Sequence, residues 1–219
     1  ITLGSYGHGV QEDFALESNR DVQGITLSTQ HDPKRRLDFS FTLYRTGLDD
    51  ARKWKFAPNT VSDYHQVTVG TRDRAVFRIE HHVFMLGFEY SDASVDVKEV
   101  NGRVEKTVYT SSLFAQWEFR EAEWVLVGGV RYDDHSTFGG EVSPRLAFSY
   151  RATPDMVVRA SVGRSYRPPF ASDLYLPLTF YNNLYFQGNP ELQPEYAWTY
   201  EVGVRYSQVF LKRKKGGSM

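Results

Sequence analysis

The feature that most restricts what this chain can become is a rhythm of about nine strand-like segments, joined by connections that alternate short and long. The segments fall at residues 22–30, 36–45, 62–72, 76–90, 107–120, 123–134, 143–151, 156–166 and 196–209. Short turns are expected at 31–35, around Asp73-Arg74, at Glu121-Ala122 and at 152–155, where Pro154 presets the backbone for a turn. Long connections are expected at 46–61, at 91–106 and, longest of all, at 167–195, with a middle-length loop containing Phe138-Gly139-Gly140. Amphipathic strands of about ten residues, with tight turns on one side and long loops on the other, are the pattern of a β-wall crossing an outer membrane.

The faces of the segments agree. In 196–206, Trp198, Tyr200, Val202, Val204 and Tyr206 share one side, opposing Thr199, Glu201, Gly203 and Arg205. In 107–120, Tyr109, Leu113, Ala115, Trp117 and Phe119 oppose Thr110, Ser112, Gln116, Glu118 and Arg120. In 123–133, Trp124, Leu126, Val130 and Tyr132 oppose Arg131 and Asp133, with Val125 and Val127 blurring the contrast. A period of two with one apolar face means a half-buried strand. A soluble antiparallel sheet packed on a core gives the same alternation, so the alternative reading is a soluble β-sheet ligand-binding module. Strand length and the rhythm of the connections favour an all-β, antiparallel up-and-down transmembrane β-barrel wall. Aromatics near the ends of the apolar face suit a lipid–water boundary.

Composition narrows the chemistry. The chain has no run of about 20 apolar residues, so it holds no helical membrane span. It has no cysteine, which excludes a disulfide framework and a thiolate metal site. A formal net charge of −1 gives no support to nucleic-acid binding. The six histidines are scattered; His81 and His82 are adjacent on a segment and so point to opposite faces, and His135 follows Asp133-Asp134 at a loop entrance. No glycine-rich phosphate loop opens a helix, and no serine sits in a nucleophile-elbow context. Glu118, Asp133 and Glu201 fall on the polar faces, where Arg120, Arg131, Arg145, Arg159 and Arg205 on neighbouring strands explain them better than acid–base chemistry. No catalytic residue, metal site or cofactor is expected, and the chain is not read as an enzyme.

The longest connection carries the sharpest signal. A strand ends at Gly163-Arg164-Ser165-Tyr166-Arg167, is stopped by Pro168-Pro169, and passes through Asp173-Leu174-Tyr175. After an aromatic stretch come Gly188-Asn189-Pro190-Glu191-Leu192-Gln193-Pro194-Glu195 and then a strand holding Tyr200-Glu201-Val202-Gly203. With Gly129-Val130-Arg131-Tyr132-Asp133 and Ser143-Pro144-Arg145-Leu146 upstream, these blocks resemble those of TonB-dependent outer-membrane receptors over roughly 114–206. The pentapeptide Leu184–Gly188 also resembles a protease site used to remove purification tags, but Asn183 replaces the usual glutamate and Gly188 belongs to the receptor-like block.

The resemblance implies a bacterial outer-membrane barrel of about 22 strands closed around a plug. It further implies import of a scarce nutrient such as a ferric siderophore or cobalamin, membrane lipid around the wall, and coupling to the TonB protein through the plug region. Residues 1–20 resemble neither plug nor coupling box, so 1–211 is expected to be a partial barrel domain, without plug or C-terminal strands. Residues 212–219, which contain Lys212-Arg213-Lys214-Lys215, are expected to be a disordered or unnatural tail. Haem receptors of this family place a histidine between the two loop blocks, and none lies between Arg167 and Glu195. Aromatic candidates for ligand contact in the long loops are Trp54, Phe56, Tyr64, Phe138, Phe180, Tyr181, Tyr185 and Phe186. Phe180, Tyr181, Tyr185 and Phe186, in the longest loop, are the chosen set. The motif residues Arg167, Pro168, Pro169, Asn189, Pro190 and Glu195 anchor its two ends.

Overall fold

Alternation along each strand needs a partner on both sides to become a wall, and the ladder supplies it. The computed structural model describes residues 14–29, 36–54, 61–99, 102–181 and 184–207. The strands are β1 (Phe14–Ser28), β2 (Leu37–Trp54), β3 (Val61–Ile79), β4 (His82–Glu99), β5 (Gly102–Arg120), β6 (Trp124–His135), β7 (Gly139–Thr153) and β8 (Met156–Arg167). A short helix α1 (Ala171–Tyr175) follows, then β9 (Thr179–Tyr181), β10 (Leu184–Phe186) and β11 (Glu195–Tyr206). Nine strands form one antiparallel sheet in the order β1-β2-β3-β4-β5-β6-β7-β8-β11, and β9 and β10 pair separately. Neighbours in sequence are neighbours in space, apart from the excursion between β8 and β11.

Directly paired residues share a face, so register alone separates two surfaces. One row across the sheet runs Leu37, Phe77, Phe84, Trp117, Gly128, Leu146, Val162, Tyr200. It holds no charged residue. A second row, of opposite parity, runs Thr26, Thr42, Arg72, Glu89, Ser112, Asp133, Glu141. Every member is polar. On the apolar face Leu113 is 61% exposed, Tyr200 74% and Val202 83%, so no second layer covers it. Trp124, Trp198 and Val204 stand open in the same way. A soluble sandwich would have buried that face in a dry core; among the described residues the only buried hydrophobic side chains are Val95, Val97 and Leu174. The apolar face is therefore the one that meets lipid.

Aromatic rings gather where that face ends. Near the tight turns, His82 stacks on Trp117, whose indole N–H donates to His82 Nδ1 at 3.1 Å, and Trp124 stacks on Tyr150 at 4.1 Å between centroids. The opposite, inner face is held by ion pairs. Arg72 and Arg131 both donate to Glu89 (2.5 and 3.0 Å), and Arg131 also donates to Asp133 at 2.7 Å. Ser112 donates to Asp133 at 2.5 Å, and both are buried. Arg120 pairs with Glu118, and Ser161 donates to Glu201 at 3.2 Å.

Two expectations need correction. No turn occurs at Asp73-Arg74: β3 runs through both, paired without a break to β2 and β4, and the chain reverses at Glu80-His81. Glu80 takes a left-handed φ of 49°, and His81 lies in that turn, leaving only His82 on a strand. A polar residue on the apolar face mimicked a turn; Asp73 is held there by the Thr71 hydroxyl at 3.0 Å. The long connections expected at 46–61 and 91–106 are largely strand, because β2 continues to Trp54 and the β4–β5 ladder closes at Glu99 and Gly102. The turn at 31–35, the end of the last segment at 208–209 and the tail at 212–219 lie outside the described residues.

Candidate ligand chamber

A strand needs only about 9–11 residues to cross the hydrocarbon layer, whereas β2 to β5 have 18 or 19. The surplus lies at the end away from the tight turns, and it builds a vestibule above the membrane.

The excursion between β8 and β11 folds into that vestibule. Pro168 and Pro169 end the β8 ladder because neither offers an N–H. Across the base, Arg167 donates to Glu195 from Nε and Nη2 at 3.1 and 2.8 Å, facing it in register. Asp173, in α1, accepts the Phe170 N–H at 3.1 Å through its carboxylate. The returning limb is tied to the outgoing one: Gly188 N–H donates to Leu176 O at 2.9 Å and Asn189 N–H to Asp173 O at 2.8 Å. The Asn189 side chain accepts the Glu191 N–H at 3.0 Å around Pro190, an Asx turn that bends the chain toward the buried Pro194 and β11. Gly188 has no substitute here, because a Cβ would lie 2.5 Å from Leu176 N and 2.7 Å from Leu174 O.

The folded excursion docks far from its origin. α1 packs on β4, and its Leu174, 3% exposed, is buried as deeply as Val95 and Val97 of that strand. Tyr175 lies 3.5 Å from the Thr137 hydroxyl, with Lys106 Nζ 5.7 Å from its ring centre. Pro177 lies where a Cβ on Gly102 would be 3.2 Å away. The limb thus bridges from β8 to the β4–β5 hairpin.

Beneath it lies a cavity of about 990 Å³. The sheet contributes Leu48, Asp50, Asp63, Tyr64, Gln66, Val97 and Glu99; the excursion contributes Phe170, Asp173, Leu176, Phe186 and Leu192, with Gln187, Gly188 and Asn189. Tyr64 donates to Gln66 at 2.5 Å, and Gln66 passes a hydrogen bond to Thr68 at 3.1 Å. Burial, and then the charge of Asp50, hold the Tyr64 phenol above its ordinary range. Apolar walls with a few fixed polar groups are what a small-molecule site offers.

Of the chosen aromatics, Phe186 lines the cavity, whereas Tyr185 stands 72% exposed. Phe180 and Tyr181 lie on β9, paired to β10 through Phe180–Tyr185 and Tyr181–Leu184; their side chains lie outside the described residues. Tyr64, placed by sequence in a loop, is on β3 and in the cavity. Phe138 stacks on His135 at 4.0 Å and meets Tyr166 edge-on at 6.0 Å. The side chain of Trp54, and Phe56 entirely, lie outside the described residues. Asn189 reaches the cavity, while Arg167, Pro168, Pro169, Pro190 and Glu195 shape the limb that covers it. Sequence reading missed Asp50, Phe170, Leu176 and Leu192; no local motif marks them, since only the long-range docking of α1 brings them together. Among the described residues no three His, Asp or Glu side chains are placed to hold a metal ion.

Comparison with known proteins places this geometry. The family model for the TonB dependent receptor-like β-barrel matches residues 2–214. The vitamin B12 transporter BtuB of Photobacterium profundum is 31% identical over 102 residues, covering 47% of this chain and 15% of that protein. BtuB of Vibrio cholerae serotype O1 is 22% identical over 195 residues, covering 85% of this chain and 29% of that protein. The solved ferric enterobactin receptor PfeA superposes with a TM-score of 0.75 at 18% identity, covering 90% of this chain and 34% of that one. The chain thus spans about a third or less of each of them.

Proposed function

The chain belongs to the TonB-dependent receptor β-barrel family, outer-membrane proteins of Gram-negative bacteria, and from that premise we propose that it forms the wall and covering limb of a nutrient importer. The cargo is a ferric siderophore or a cobalamin, captured in the vestibule and passed inward with no covalent bond made or broken. One observation carries this reading: the limb between β8 and β11 crosses to β4 and leaves a cavity of about 990 Å³. Membrane lipid bathes the apolar face. An energy-coupling TonB protein, acting through a plug region within the polar lumen, supplies the drive for release. The roles of the relatives, vitamin B12 transport and ferric enterobactin reception, support both cargo classes.

The test is binding and uptake by the full-length protein that carries this chain. Phe186→Ala combined with Leu192→Ala removes two apolar walls of the cavity. The pair is expected to weaken binding of the imported nutrient about tenfold or more while leaving the folded barrel's mobility on unheated gels unchanged. Unaltered binding and uptake would place capture elsewhere.

A further inference from the structure

Resting on the reading just proposed, we infer that the wall parts between β7 and β8 toward its vestibule end, where a clasp of Arg164, Glu141 and Tyr196 closes the parting and sets how fast the nutrient enters and leaves the chamber. Pairing of β7 with β8 stops at Arg145–Gly163. Both strands run on beyond that point. β7 stays on β6 as far as Gly139, opposite His135, and β8 stays on β11 as far as Arg167, opposite Glu195. The next rung would join Pro144 to Arg164, and proline has no N–H to complete it. The β4–β5 ladder, by contrast, runs unbroken to Glu99–Gly102.

Side chains do there what backbone does elsewhere. Arg164 donates to the Val142 carbonyl and, at 3.3 Å, to the Glu141 carboxylate. The Tyr196 hydroxyl donates to the other carboxylate oxygen at 2.5 Å, and the Arg164 guanidinium lies 4.5 Å from the centre of the Tyr196 ring. Arg164 and Tyr196 belong to the β8–β11 side of the parting, Glu141 and Val142 to the β7 side. A few side-chain bonds open at lower cost than a run of rungs that must break together.

The parting matters because of what stands on it. The limb rises from the far ends of β8 and β11, beyond the Arg167–Glu195 pair, and its α1 packs on β4. Loosened from β7, those ends tilt about the Arg145–Gly163 rung and draw the limb off β4; clasped, they hold it over the cavity. Such a gate changes the rates of entry and exit by the same factor and leaves affinity alone, because it alters the path between the free and bound states and neither of the two ends.

The experiment uses the full-length protein carrying this chain, purified in detergent, with nitroxide labels on Glu191→Cys in the limb and Lys98→Cys on β4, both exposed positions. Two variants push the clasp in opposite directions. Glu141→Gln with Tyr196→Phe removes its charge and its hydroxyl, whereas Pro144→Val restores the missing N–H and keeps an apolar residue opposite Val130. Electron–electron distance measurement is expected to show a short and a long separation, the long one about threefold more populated in the loosened variant and about threefold less in the tightened one. Stopped-flow binding of cyanocobalamin and of ferric enterobactin is expected to give association and dissociation rates that both rise about threefold in the first variant and both fall in the second, with the dissociation constant held within about twofold. Each variant serves alone if the other fails to fold. One distance distribution shared by all forms overturns the inference. So does a change confined to the dissociation rate, which would make the clasp part of the binding site, and so do distances that move while both rates stand still. If neither probe binds, the capture reading fails and the gating role with it, whereas the distances, which need no nutrient, still decide whether the wall parts.

Discussion

Gly188 and Glu80 show how single residues set limits on this wall. At Gly188 the constraint is space, since the backbone of Leu174 and Leu176 occupies the position of any Cβ. Gly188→Ala is expected to cost on the order of 1–3 kcal/mol of limb stability. Faster proteolysis within 170–194 and weaker ligand binding, with the barrel intact, would report it. At Glu80 the constraint is conformational. A left-handed φ of 49° costs an L-residue about 1–2 kcal/mol, while glycine's extra freedom in the unfolded chain gives back roughly 0.5–1 kcal/mol. Glu80→Gly should therefore stabilise the β3–β4 turn by up to about 1 kcal/mol, measured as a higher denaturant midpoint in detergent.

Among elements, the β4–β5 hairpin depends most visibly on pH, because its outer part stands above the lipid. Arg103 grips Asp96 through two bonds of 2.9 and 2.8 Å and also reaches Glu105 at 2.7 Å. That hydrogen bonding, with the guanidinium charge behind it, holds the Asp96 carboxyl below the ordinary carboxylate range. A depressed carboxylate pKa adds stability above the unfolded value, and that stability is lost as pH falls through the folded value. The protection factors of the hairpin-tip amides, with the intrinsic pH dependence of exchange divided out, should thus be unchanged from neutral pH down to about pH 4 and fall below it. In Asp96→Asn the step should vanish. The same hairpin explains why long loops were expected where strand continues. Residues 91–99 are polar enough to read as loop, with Asp92, Ser94, Asp96, Lys98 and Glu99, because above the membrane neither face must meet lipid. Alternation of hydrophobicity marks the membrane-crossing part of a strand and not its full length.

For the whole molecule, the decisive property is that the register rows crossing the membrane alternate between an apolar, uncovered face and a polar one, as the rows through Trp117 and Ser112 do. Reversing one residue on each face tests it. Leu113→Arg places a charge on the lipid face and should cost about 2–4 kcal/mol if near the mid-plane, read as loss of the folded form in bilayers. Thr42→Glu, on the inner row directly opposite Arg72, should be tolerated within about 0.5 kcal/mol. Equal penalties at the two positions would contradict the assignment of faces.

Sequence alone determined the antiparallel order, the number of long strands and, for the segments at 107–120, 123–133 and 196–206, which side meets lipid, because alternation with period two is written residue by residue and does not depend on distant partners. It also marked both ends of the limb, where Pro168-Pro169 and Asn189-Pro190 act on their own backbone. Tertiary structure decided the rest. That Asp73 lies within a strand follows only from ladders on both sides, and that Leu174 of α1 is buried where the helix meets β4 follows only from a limb that crosses three strands to reach it. The cavity has the same origin. Its walls come from residues more than a hundred positions apart, such as Asp50 and Phe186, and burial of an apolar side chain rewards contact without regard to separation along the chain.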